Sequence, residues 1–593
     1  MFKRITLVAA LSLSMNPLLS QAATVGNGAE GDWIARSNED AKILLDVTAR
    51  FSPEDASDFG AAQYDKDVAD LRPHLDERMS AALAEARQKL SKRLAQEKDP
   101  NVHQDLAILI EQIDLQREGI ALERKYLLPF EDVGLLVFNG EFVLLKDEAG
   151  EGRAAAALDR LKCYVGMASG CTPITELAKA LTVERLDDKT LLAPYKPAVE
   201  QQLAKARKYL DGLRKLFAKR HIDGANEPLG TLEKQLADYD AWVRDTIVPR
   251  AREDFRIPEP LYAHRLKQFG LDVDPNELIK QAMLEFSETR SAMEVLAPVV
   301  AAHENIPATD YLSVLKALKS RQLDKASVLP TYNRVIASIE DAIAKYRVID
   351  LPKRSMAIRI ASDAENAAVA SPHMDPPAFI GNKGEKGTFV LTTGHPGTDG
   401  GSSETYDDFT YDAAAWTLTA HEGRPGHELQ YAGMIEHGVS ITRGLFAFNS
   451  VNAEGWALYS EMEMLPYEPP AGQFVALQFR LLRAARAFLD PMLNLGLISP
   501  QRAHDVLVHE AGFSEALAKQ EIDRYTFQSP GQAASYFYGY ARLMQLRVMA
   551  ELALGDKFDR KDFNDFVVSQ GMLPPALMAE AVRTQFIPAE MKK

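Results

Sequence analysis

Over most of the chain apolar residues recur at three- and four-residue spacing among charged ones, the pattern of helices that bury one face. It is clearest over residues 75–94 and 106–128 and resumes over 174–181 and 199–216. Helix starts are written into the sequence as well. Thr172-Pro173 reads as an N-cap followed by a first-turn proline, and Asp274-Pro275-Asn276-Glu277 adds a glutamate three residues after the capping aspartate. Two stretches depart from the helical period. Residues 135–145 are apolar around Asn139-Gly140, which reads as a β-hairpin or as a buried helix with a break. Residues 387–393, Gly-Thr-Phe-Val-Leu-Thr-Thr, are a β-branched and aromatic run after a glycine and predict a strand. The expected fold class is mainly α. There is no tandem repeat or low-complexity tract, and the Pro-containing stretch 256–260 marks a boundary between two halves that can still share one core.

The amino terminus changes the picture of where the protein works. Met1-Phe2-Lys3-Arg4 is followed by an apolar run over 5–19 and by Ser20-Gln21-Ala22-Ala23, the order of a secretory signal peptide. The run is shorter than the ~20 residues that span a bilayer, and Asn16 and Pro17 interrupt it. No cysteine stands at the cleavage position, which speaks against lipid attachment there, and no later segment is apolar for long enough to cross a membrane. The expectation is a periplasmic or secreted protein without stable membrane insertion, divided into a signal peptide (1–23), an N-terminal helical region (24–255) and a C-terminal catalytic region (256–593). In an oxidising compartment the two cysteines, Cys163 and Cys171, are expected to form a disulfide across the loop between them. Their spacing matches neither a C-x-x-C redox pair nor a zinc knuckle.

Composition adds two exclusions. Of 593 residues 46% are hydrophobic and 26% charged, so an ordinary core can be buried and disorder is not the main theme. The formal charge of −16 gives the chain no electrostatic reason to bind nucleic acid or anionic lipid over a broad surface.

Candidate chemistry is concentrated at His421-Glu422-Gly423-Arg424-Pro425-Gly426-His427. In the H-E-x-x-H zinc motif two histidines one turn apart ligate the metal and the glutamate activates water. Here the second histidine is six residues on. Positions i and i+6 differ by about 120° around a helix, against about 40° for i and i+4, so an unbroken helix would not converge the pair. Gly423, Pro425 and Gly426 are helix breakers, however, and a local bulge can re-aim His427. Downstream, Asn452-Ala453-Glu454-Gly455-Trp456-Ala457-Leu458-Tyr459-Ser460-Glu461 offers Glu454 as a third ligand from a second helix, which leaves a fourth position open as in catalytic zinc sites. Glu422 would then be the general base. Glu461, two turns beyond Glu454, is either a partner that orients a ligand histidine or a solvated glutamate. Arg480, Arg483 and Arg486 at three-residue spacing read as a helix face paired to acidic residues. His504 and His509 read as surface or helix-terminal residues.

These motifs, together with Glu521-Ile522, Arg524-Tyr525, Pro530-Gly531-Gln532-Ala533 and Tyr536, resemble a bacterial family known as domain of unknown function 885 and grouped with the gluzincin metallopeptidases. The resemblance runs from about Phe51 to the carboxy terminus and includes residues 239–242 and the predicted strand. It implies a large helical peptidase-like body with a deep cleft, the metal at its floor and a small β-sheet beside the metal helix. Residue by residue it implies His421, His427 and Glu454 as ligands of one Zn2+ per chain and Glu422 as base. It implies the strand carrying Phe389 and Val390 as an edge on which an extended peptide pairs. Tyr536 and Tyr540 are candidates to donate a hydrogen bond to an oxyanion, and Arg524 and Arg547 to grip a substrate carboxylate as a fork. One departure stands out: where relatives tend to show Asp-x-Gly-x-His, this chain has Asp490-Pro491-Met492-Leu493-Asn494.

The expected activity is therefore zinc-dependent hydrolysis of a peptide or small amide, with a glutamate as general base. The rivals are a metal-dependent amidase or esterase acting on a non-peptide substrate, and a peptide-binding protein that has lost its chemistry. Oligomeric state is not written in the sequence.

Overall fold

The computed structural model describes residues 30–146, 148–149, 151–369, 371–392, 395–396, 403–404 and 407–593. The signal-peptide reading of 1–23 lies outside them, as does Thr393 at the end of the predicted strand. Helices dominate and follow the periodicity closely: Leu75–Leu94, Pro100–Tyr126, Ile174–Val183 and Lys196–Lys219 lie over the four periodic stretches, the second ending two residues short of its stretch. Asp274 caps the helix α1 (Pro275–Glu304) by accepting from the Asn276 amide.

Residues 135–145 form no hairpin. They belong to one helix, Val133–Leu145, capped by Asp132 and buried on nearly every side. An all-round apolar helix has no polar stripe to reveal its period. Gly140 serves close approach rather than a turn, since a Cβ there would stand 2.1 Å from the Tyr164 hydroxyl. The expected disulfide is present: Cys163 and Cys171 are bonded with Cα atoms 5.2 Å apart.

The predicted strand forms at Thr388–Leu391, but the edge position that the resemblance implies for it does not hold. β1 (Ala357–Ile360), β2 (His373–Asp375) and β3 (Thr388–Leu391) form a sheet in the order β1-β3-β2. β3 pairs in parallel with β1 and antiparallel with β2, so Phe389 lies between Ile358 and Met374, and Val390 between Arg359 and His373. β3 is the central strand, and its Phe389 and Val390 are buried with both backbone edges taken. An unbroken apolar run is what a strand covered on both faces requires.

After the sheet come α2 (Asp412–Leu418), α3 (His427–His437), α4 (Ser450–Met464), α5 (Pro470–Asn494) and α6 (Ser535–Leu554). α5 is buried along most of its length, and α1, α2 and α6 pack against it. α4 and α6 cross at two glycines. A Cβ on Gly455 would come within 2.5 Å of the Gly539 backbone, and one on Gly539 within 2.0 Å of the Val451 carbonyl. One hydrophobic core lies almost wholly beyond Phe255 and another almost wholly before Val248. Buried ion pairs join the halves: Lys146 with Asp375 at 2.7 Å and Arg443 with Asp105 at 2.7 Å. Among the described residues no helix is long and apolar enough to cross a membrane.

Candidate metal centre

α2 runs into a wide turn of π-helix, Thr419–Gly423, which carries His421 and Glu422. The chain then leaves the helix, with Arg424 extended at φ −120° and ψ 136°, and re-enters helix as α3 at His427. This interruption solves the six-residue spacing. The two imidazoles face each other with ring centres 4.9 Å apart and planes at 83°. The break is held from several sides. Arg424, itself buried, donates to Glu428 and Glu340 at 2.7 Å each, and the Trp456 indole donates to the Pro425 carbonyl at 2.9 Å. Gly426 passes so close to the π turn that a Cβ would lie 1.9 Å from the His421 carbonyl oxygen.

α4 brings Glu454 to the pair. Its Oε2 stands 3.5 Å from His421 Nε2 and 3.3 Å from His427 Nε2, and the three ligand atoms lie within 4.8 Å of one another. Tetrahedral zinc with bonds of 2.0–2.1 Å sets its ligand atoms roughly 3.3 Å apart. The Glu454 Oε2 atom is buried and has no hydrogen-bond partner. A buried carboxylate oxygen facing two imidazole nitrogens at these spacings fits a divalent cation.

Glu461 accepts from His421 Nδ1 at 2.7 Å, from Arg483 at 3.0 Å and from the Thr417 hydroxyl at 2.9 Å. It thereby turns Nε2 of the ring toward Glu454, as outer carboxylates do for metal-ligating histidines. Burial pulls His421 toward its neutral form, but the carboxylates of Glu454 and Glu461 outweigh it and raise its pKa to about 9. Burial pushes Glu454 up, yet His421 and His427 hold it well below the usual carboxylate range. Glu422, with Oε1 3.9 Å from His421 Nε2, is raised by burial against the opposing pull of both histidines. The site is recessed but reachable, since His427 and Glu454 keep 13% and 16% of their side chains exposed.

Of the two tyrosines, the structure brings Tyr536 to this cluster. Its ring lies parallel to His421 with centres 6.1 Å apart, and its hydroxyl accepts from Arg524 at 2.9 Å. Tyr540, one turn further along α6, packs instead under Arg480, which pairs with Glu285 of α1. The arginines also separate. Arg547 is engaged by Glu463, by Glu551 at 2.8 Å and by the Tyr459 hydroxyl at 3.1 Å, so its fork is occupied by the protein. Phe389 and Val390 are not available for edge pairing, because β1 and β2 occupy both sides of β3. Asn494 donates to the Asp490 and Tyr525 carbonyls at 3.0 Å each and ties the end of α5 to the π-helical turn Arg524–Gln528. His504 pairs with Glu515 at 3.0 Å and His509 is exposed.

Sequence reasoning missed Thr417 and the glycine crossing. Gly455 and Gly539, each inside a helical run, were the available signal, because such glycines mark close approach. Among the described residues one other cluster has metal-like spacing, His74, Glu77 and Glu184, but it is exposed and Glu77 is paired with Arg124.

A helical body with a recessed His-His-Glu cluster beside a small sheet defines the class of protein. The chain belongs to the bacterial protein family of unknown function DUF885, whose profile matches residues 53–582. No curated protein matches it. In structure it is similar to a presumed lipoprotein from Colwellia psychrerythraea, at 19% identity and a TM-score of 0.70, covering 94% of this chain and 98% of that one. A presumed lipoprotein of unknown function from Shewanella oneidensis shares the fold at 17% identity and a TM-score of 0.69, over 93% of this chain and 99% of that one. PZ peptidase A with inhibitor 2 aligns over 88% of this chain and 96% of its own at 11% identity, with a TM-score of 0.33 that is too low to equate the folds.

Proposed function

We propose that the protein is an exported, gluzincin-like zinc peptidase that hydrolyses peptides or small amides in the periplasm or outside the cell. The observation that carries this reading is the buried Glu454 Oε2, without a hydrogen bond and at ion-pair distance from both His421 and His427, with Glu422 beside them. A zinc ion bound there supplies a Lewis acid that polarises a carbonyl and acidifies water. His421, His427 and Glu454 hold it, and Glu461 fixes the His421 ring. Glu422 accepts a proton from the attacking water and delivers it to the leaving amine. Tyr536 donates its hydroxyl hydrogen to the oxyanion as charge builds on the substrate oxygen.

Two measurements test this. Purified protein is expected to contain about one zinc per chain and Glu454→Ala much less, by mass spectrometry. Glu422→Gln is expected to retain the metal and lose turnover by roughly a hundredfold or more. Full activity in Glu422→Gln, on a substrate cleaved by the parent, overturns the assignment.

One observation favours a second reading. Because both edges of β3 are paired, the expected peptide-docking edge is closed, which suits a non-peptide amide or ester. A panel of peptides and small esters under identical metal loading separates the two.

A further inference from the structure

Tyr536 stands among arginines whose pairing is uneven. Three guanidinium carbons lie within 6.0 Å of its ring centre: Arg486 at 4.5 Å, Arg524 at 5.1 Å and Arg483 at 6.0 Å. Arg483 is paired with Glu461 at 3.0 Å. Arg486 takes both oxygens of Glu521, at 2.8 and 2.6 Å, and the Tyr525 hydroxyl donates to the same carboxylate at 2.7 Å. Arg524 is left with the margin of that carboxylate, 3.6 Å from its Nη1, and with the more distant charge of Asp490, to which it makes no hydrogen bond.

Its hydrogen bonds are one-sided. Nη2 donates to the Tyr536 hydroxyl at 2.9 Å and to the Gln532 amide oxygen. Among the described residues Nε and Nη1 donate to nothing, and 19% of the side chain remains exposed. This contrasts with Arg547, which is filled by two glutamates. A partly exposed guanidinium with two unused donor nitrogens, bonded to the tyrosine that stacks beside His421, has the donors to receive an anion reaching the site.

We infer that Arg524 binds the C-terminal carboxylate of the substrate, so that the protein acts on free carboxy ends and releases short C-terminal fragments. Carboxylates suit guanidinium because its planar fork matches their two oxygens. The length follows from the geometry. Arg524 is 5.1 Å from the Tyr536 ring centre, and that ring is 6.1 Å from His421. An extended residue spans about 3.5 Å, so only a few residues separate a carboxylate on Arg524 from a carbonyl at the histidines. The cleavage part of this inference rests on the peptidase reading above; the carboxylate recognition does not.

The test uses a tetrapeptide library prepared in two forms, free acid and C-terminal amide, on the zinc-loaded full chain. Binding to Glu422→Gln is measured by affinity-selection mass spectrometry, and cleavage by the parent is followed by product masses. The free acids are expected to bind at least tenfold more tightly than the amides, and the released fragments to be one to three residues long. Arg524→Met is expected to erase the preference, and Arg524→Lys to restore part of it, with metal content unchanged in both. Equal binding of acids and amides by Glu422→Gln with Arg524 intact overturns the inference, as does an undiminished preference when Arg524→Met is added. Carboxylate preference without turnover would leave the carboxylate recognition standing and remove the cleavage part together with the peptidase reading; turnover without preference would overturn the recognition and leave the peptidase reading. A library that does not bind in either form overturns the inference too.

Discussion

His421 is where burial and charge pull in opposite directions. In the metal-free protein burial favours the neutral ring, yet Glu454 and Glu461 raise its pKa to about 9, so it carries a proton at neutral pH. A metal requires the neutral imidazole, and its binding must therefore expel that proton. At pH 7.5 uptake of one zinc is expected to release about one proton, measurable by calorimetry in two buffers of different ionisation enthalpy. Apparent affinity should rise about tenfold per pH unit up to about pH 9 and then flatten. Affinity that does not change between pH 7 and 9 would contradict the assignment. The same shift acts on stability with the sign of a raised pKa. Its contribution to the metal-free fold is complete below the unfolded value of about 6.5 and is lost as pH rises through about 9. Glu461→Gln removes one of the two carboxylates, and should move the plateau to lower pH while weakening metal binding roughly 10- to 100-fold. The candidate ligands were legible as a set because ligand chemistry restricts residue type. The environment of Tyr536 and Tyr540 was not, because one helical turn decides which faces His421, and that depends on how α6 crosses α4.

That crossing belongs to the scale of elements. Gly455 and Gly539 let α4 and α6 touch backbone to backbone, and this contact carries Glu454 and Tyr536 to the same place. A methyl group on Gly539 would have to displace the Val451 carbonyl, 2.0 Å away, so the helices must part. Gly539→Ala is expected to destabilise the fold by about 1–3 kcal/mol, the usual effect of overpacking, and to lower zinc occupancy. Gly230, inside the helix Asn226–Trp242, has nothing within 4 Å of its Cβ direction. Gly230→Ala should therefore stabilise by about 0.5–1 kcal/mol and leave the metal untouched. Denaturation midpoints and zinc content of the two variants, compared side by side, check the contrast; similar behaviour would mean that the crossing does not position the site. The elements also show where sequence patterns run out. Amphipathic helices announce themselves through one polar face. Val133–Leu145 and β3 are covered on both faces; the apolar run of the first therefore reads equally as a hairpin or a helix, and that of the second predicts a strand without its place in the sheet. An apolar run reports burial without reporting what does the burying.

At the scale of the molecule, the boundary near residue 256 separates two cores without separating two machines. Lys146, at the end of the helix Val133–Leu145, reaches across to Asp375 of β2, with 1% and 2% of the two side chains exposed. Asp375 lies on the strand that pairs with β3, and both β2 and β3 pack against the π turn bearing His421 and Glu422. The N-terminal half thus helps to fix the sheet on which the candidate centre rests. Removing one member of a buried pair strands the other charge, whereas replacing both by apolar groups does not. Lys146→Met should therefore destabilise the protein by about 3–5 kcal/mol, because Arg359, 3.8 Å from Asp375, is too distant to compensate fully. The double variant Lys146→Met, Asp375→Leu should recover most of that loss. If the halves fold as one unit, urea unfolding followed by near-ultraviolet circular dichroism and by zinc release should shift together in the single variant. Zinc release that stays at the parent's midpoint while the dichroism shifts would show that the C-terminal half holds its centre unaided, and the interlock would then be a matter of packing alone.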